Sequence, residues 1–105
     1  MSWYESFHSA LNVEETVKLI NQSLDLELER RNTSFLSDDY YLVSTRAQDD
    51  LAVKTNEDFE GEPLKDEVPL GGTLIELVAE SPVGREWQRV LDAMPELESL
   101  GGEEK

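Results

Sequence analysis

YYLVSTRAQDDLAVKT, residues 40–55, decides how the rest of this chain is read. Residues 40–46 are aromatic and β-branched, the side chains that suit a pleated, half-buried surface. Residues 51–55 alternate, with Leu51, Val53 and Thr55 on one side and Ala52 and Lys54 on the other. The turn A-Q-D-D joins the two runs, so the stretch predicts an antiparallel hairpin. Successive side chains of a strand point to opposite faces, so one of Tyr40 and Tyr41 is expected to be at least half exposed.

On the C-terminal side, residues 56–72 are acidic, contain Gly and Pro and have no periodicity, which predicts a long loop ending in P-L-G-G. The run from Thr73 to Val78 is bounded by turn signals and suits a buried strand. Ser81 and Pro82 then fit an N-cap and a first helical position. Val83, Trp87, Val90, Leu91 and Met94 make one apolar face, with Arg85, Glu86, Arg89 and Asp92 on the polar side. Pro95 stops this helix, because it lacks a donor and clashes with the preceding turn. Residues 96–105 are acidic and glycine-bearing and are expected to be a flexible tail on a single domain of residues 1–95.

On the N-terminal side, Leu24, Leu26 and Leu28 alternate with Asp25, Glu27 and Glu29, which favours a strand over a continued helix. Asn12 with Glu15 three residues on marks a helix start, and Val13, Val17, Ile20 and Leu24 carry its apolar stripe to about residue 23. Ser2 and Glu5 have the capping-box spacing, and Trp3, Phe7 and Leu11 recur every four residues, which predicts a first helix over 3–11. The sum is an α+β fold: an antiparallel sheet of about four strands with N-terminal and C-terminal helices packed on it.

Composition narrows the function. The chain has 105 residues, 24 acids against nine bases and a formal net charge of −15. Such a surface repels nucleic acid phosphates and anionic lipid headgroups and attracts basic proteins. No apolar run approaches the roughly 18 residues of a membrane span. MSWYESFHSALN has neither a basic nor a long apolar region, so a secretory signal is not expected. There is no cysteine, which removes disulfides, thiolate metal sites and cysteine nucleophiles and makes a reduced, cytoplasmic setting the default.

NEDFEGEPLKDE, residues 56–67, comes near the spacing of an EF-hand calcium loop. Asn56, Asp58 and Glu60 take positions one, three and five, Gly61 takes six and Glu67 twelve. Asn at one, Pro63 at eight and Leu64 at nine depart from the pattern. A strand-like run enters and V-P-L-G-G leaves, where an EF-hand has helices. Six of these twelve residues are acids, so a solvated acidic loop is the simpler reading. Catalysis is poorly provided for. The single histidine, His8, has no triad partner at usable spacing, the carboxylate pairs adjoin turns, and Gly71-Gly72 is not a phosphate loop. No cofactor and no enzymatic activity are expected.

What remains is protein binding. Aromatics beside carboxylates suit an Arg- or Lys-bearing partner, which makes Asp38, Asp39, Tyr40 and Tyr41 candidates, with Asp49, Asp50, Glu57, Asp58, Glu60 and Glu62. In size, acidity, lack of cysteine and mixed α/β order the chain resembles the small acidic immunity proteins that bacteria keep beside secreted toxins. That resemblance implies a protein that blocks a basic cleft. The same features are similar to those of acidic secretion chaperones, which hold an effector and usually dimerise. An alternative of another class is a calcium- or salt-responsive protein that orders its 56–67 loop around a cation.

Overall fold

A computed structural model describes residues 2–36 and 38–105. The expected hairpin is present as β3 (Tyr40–Ser44) and β4 (Asp50–Thr55), paired antiparallel with Tyr41 opposite Val53 and Val43 opposite Leu51. The buried strand is β5 (Thr73–Ala79), the helix expected after the Asn12 cap is α1 (Val13–Leu24), and the helix expected after Ser81-Pro82 is α2 (Pro82–Asp92). Asn12 Oδ1 accepts from the Glu15 backbone N–H at 2.8 Å, as the sequence requires. The segment after α1 divides. Asp25 takes a left-handed conformation and ends the helix, Leu26 and Leu28 turn inward, and only Glu29–Arg31 forms a strand, β2.

Among the described residues the sheet has six strands rather than four, all antiparallel neighbours, in the order β2-β3-β4-β5-β1-β6. Both additional strands come from segments with another expectation. Residues 3–11 were expected to be helical, yet Trp3–Ser9 is β1 and lies between β5 and β6. Its inward residues are Glu5, Phe7 and Ser9, and two of those three are polar, so no apolar alternation marks it. Residues 96–105 were expected to be a flexible tail, but Leu97–Glu104 is β6, an edge strand along β1. Ser2 and Lys105 exchange two backbone hydrogen bonds of 2.8 and 3.0 Å, which joins the ends of the described chain. Gly102 lets Trp3 lie against β6, since a Cβ there would stand 2.4 Å from its ring.

One register line explains the core. Phe7 faces Ile75, Ile75 faces Val53, and Val53 faces Tyr41; Leu77 faces Leu51 on the next line. These side chains share one face of the sheet and pack in one cluster with Val17 and Ile20 of α1 and Trp87 and Leu91 of α2. Both helices therefore cover the same face. No described helix is long and apolar enough to cross a membrane.

Two carboxylates are buried on this side. Asp49 is 0% exposed. It accepts from the backbone N–H of Glu80 and Ser81 at 2.8 and 2.9 Å, from Ser81 Oγ at 2.5 Å and from Thr45 Oγ1 at 2.9 Å. Burial alone would raise this carboxyl, but the bonds from Ser81, Glu80 and Thr45 outweigh it and hold it below the ordinary range. α2 has no acid in its first turn, so Asp49 brings the negative charge that its positive end favours. Gly84 makes room, because a Cβ there would meet Asp49 Oδ1 at 2.3 Å. Glu5 is the second, and it takes bonds from Trp3, Gln88 and Ser99. Partial burial, together with the hydrogen bond and charge of Glu5 beside it, pushes the Asp92 carboxyl up to about 6.

Asp49→Ala strands four donors and is expected to cost about 3 kcal/mol by denaturant unfolding. The Asp49 pKa is lowered by folding, so its contribution is present above its unfolded pKa and fades as pH falls through the folded value. Asp92 has the opposite sign: its contribution is full below about pH 4 and lost as pH rises through about 6. Asp92→Asn should therefore stabilise at pH 7–8, by under about 1 kcal/mol given its exposure, and make no difference at pH 4.

Candidate functional site: an acidic end of the sheet

The chain enters β3 and leaves β4 at the same end of the sheet, and the loop after β4 is fixed there by one side chain. Asn56 is 0% exposed. Its Nδ2 donates to the carbonyls of Lys65 and Val68 at 2.9 Å each, and its Oδ1 accepts from the Lys65 N–H at 2.9 Å. Its backbone N–H donates to Gly72 O at 2.8 Å, and its carbonyl accepts from the Gly71 N–H at 3.3 Å. A buried amide satisfied in this way closes the 56–72 loop as a covalent staple would, with the polar groups of both segments paired.

Within the loop, Asp58 builds the outer turn. Its Oδ1 accepts from the N–H groups of Glu60 and Glu62 at 2.8 and 3.0 Å. Its own N–H donates to Glu62 O, and Gly61 supplies the left-handed conformation between them at φ 83°. This turn then reaches across to the segment before β3. Leu36 and Asp58 form an antiparallel bridge, and the Phe59 N–H donates to Phe35 O at 3.0 Å.

That contact brings together residues the sequence only suggested separately. Asp38, Asp39, Tyr40 and Tyr41 stand at the start of β3, and Glu57, Asp58, Glu60 and Glu62 belong to the loop that bridges to it. Tyr40 and Tyr41 are both half-buried and part to opposite faces. Asp39 is held by Arg30 at 2.6 Å. Asp38, Asp39 and Tyr41 line a cleft of about 220 Å³ with Glu14, Arg30 and Asn12 at the start of α1. Asp50 lies at the far end of the hairpin, bonded to Ser44 Oγ, one strand length away. Asp49 leaves the set of surface candidates, because its carboxylate is buried and spent on the α2 junction.

The calcium spacing is put to another use. Asn56, position one of that pattern, faces inward to the 65–69 backbone, while Glu60 and Glu67 are exposed. No group of three or more His, Asp or Glu among the described residues is placed to hold a metal ion. A larger groove of about 530 Å³ lies on the uncovered sheet face along β1, β5 and β6, with Tyr4, Glu76, Val78 and Leu100 in its walls. Lys65 and Lys105 also line it, so its charge is mixed where the end of the sheet is acidic.

Sequence reasoning missed Phe35 and Phe59, which are 72% and 61% exposed. The available signal was their setting: N-T-S-F-L-S-D-D and N-E-D-F-E-G-E each give a phenylalanine almost no apolar neighbour in sequence. No protein-family model matches this chain, and comparison with curated proteins finds no match.

Asn56→Ala removes the side chain that closes the loop and strands the Lys65 N–H and the Val68 carbonyl. It should cost about 2–4 kcal/mol in denaturant unfolding. Backbone amides of residues 58–72 should lose hydrogen-exchange protection before those of β4 and β5 do.

Proposed function

We propose that this chain is a small acidic binding protein, not an enzyme, that neutralises a basic protein in the cytoplasm as an immunity protein does a toxin. One observation supports this reading above the others. The 36–58 bridge joins two acidic segments into one surface, so that Asp38, Glu57, Asp58, Glu60 and Glu62 act together. Arg30 offsets Asp39, whereas none of these five forms an ion pair among the described residues. Clustered charge of one sign speeds the encounter with an oppositely charged surface and sets partner choice, while apolar contacts supply the lifetime of the complex. The fixed loop favours binding too, because a surface already in shape loses little entropy on docking. A long-range field from a net charge of −15 acts in the same direction.

The experiment is capture of a basic protein from native lysate by the tagged chain, followed by association kinetics with that protein at rising ionic strength. The association rate should fall about tenfold or more between low salt and 0.5 M. The variant Asp38→Asn/Glu57→Gln/Glu60→Gln/Glu62→Gln should lose about tenfold in association rate at low salt and keep its thermal midpoint. A captured partner that is not basic, or a rate indifferent to salt and to these substitutions, contradicts the proposal.

A further inference from the structure

We infer that Phe35 and Phe59 are the apolar anchors of the acidic surface, and that the segment they receive carries apolar side chains flanked by Arg or Lys. The inference rests on the binding reading above and adds the groups that supply affinity and selectivity. The register carries it. With Leu36 opposite Asp58 and the Phe59 N–H bonded to Phe35 O, Phe35 stands opposite Phe59. Residues so opposed across a bridge start from neighbouring backbone positions, with Cα atoms about 5.5 Å apart in a hydrogen-bonded pair. The pair is therefore one aromatic platform rather than two scattered side chains. These are also the most exposed large apolar residues described, ahead of Leu70, Val83, Leu64 and Tyr4.

An isolated exposed leucine needs no explanation, but paired exposed phenylalanines on a fixed backbone do. Packing stability does not account for them, since the core cluster is complete without either. Aromatic side chains dominate affinity where they are centrally placed and ringed by polar groups that exclude water. Here the ring would be Asp38, Glu57, Asp58, Glu60 and Glu62.

The same ring selects the occupant. A second copy of this chain would set carboxylates against carboxylates, which opposes self-association at this surface. Anionic lipid and nucleic acid are repelled for the same reason. A protein segment that alternates basic and apolar side chains meets both features: its cations face the carboxylates, its apolar groups cover the rings, and Arg can also stack on them.

The test uses two synthetic peptides with equal numbers of Arg and Lys, one with Leu and Trp interspersed and one with Gly and Ser in those places. At about 0.15 M salt the wild-type chain should bind the apolar-bearing peptide about tenfold more tightly. Phe35→Ser/Phe59→Ser should bring the two affinities within about twofold of each other, with an unchanged thermal midpoint because both side chains are exposed. The acid-neutralised variant described above should weaken both peptides alike and keep the ratio. A ratio unchanged by the double Phe substitution overturns the inference while leaving the acidic reading intact. Failure of the wild-type chain to bind either peptide overturns the acidic reading and the inference with it. Sedimentation should show a monomer, and a dimer that the double Phe substitution dissolves would assign the pair to a second copy instead.

Discussion

Strand β4 is bracketed by two completely buried polar residues, and much of the remaining structure is organised from them. Asp49 precedes the strand and Asn56 follows it. A buried carboxylate or amide is costly to leave unpaired, so each is tolerated only where the chain brings enough partners to it. Asp49 draws in the β5–α2 junction and so sets where α2 begins. Asn56 draws in residues 65–72 and so fixes the loop that carries the acids. One end of β4 thus governs the helix layer and the other governs the candidate binding surface.

This division matters because charge offers the fold little help. The ion pairs Arg31–Glu29, Arg89–Glu86 and Lys105–Glu103 are well exposed, and pairs of that kind contribute little. A chain with net charge −15 carries self-repulsion that a modest apolar core must offset. Buried hydrogen bonds with full satisfaction are one way to keep such a chain in a unique arrangement. They also fix the acidic loop beside the 36–58 bridge, the surface proposed above to meet a basic partner. Phe35 and Phe59 fit the same logic, since an exposed aromatic pair is retained more easily on a backbone already held by Asn56 and Asp58.

The elements legible in the sequence were those with local signals. The β3–β4 hairpin, β5, α1 with its Asn12 cap and α2 after Ser81-Pro82 all carry their period or their punctuation within a few residues. β1 was hidden because Glu5 and Ser9 occupy inward positions, and the Trp3-Phe7-Leu11 spacing imitates a helix. β6 was hidden because Glu98, Glu103 and the Gly101-Gly102 pair resemble a solvated tail, although the glycines make the bulge and seat Trp3. The acidity of 56–62 was legible, but its pairing with Phe35 and Leu36 depends on a bridge between residues 22 apart, and no local pattern encodes that. Asp49 looked like any acid in a turn, since its partners Glu80 and Ser81 lie more than thirty residues on.

The two acidic segments and their phenylalanines are proposed to form one docking surface at one end of the sheet. Hydrogen exchange on the chain, free and bound to the basic protein it captures, addresses this directly. The account predicts that binding slows exchange at residues 34–41 and 57–62 together, with little change along β5, β6 and the uncovered sheet face. Protection confined to β6 or to the groove beside Tyr4 and Leu100, with both acidic segments unchanged, would contradict it.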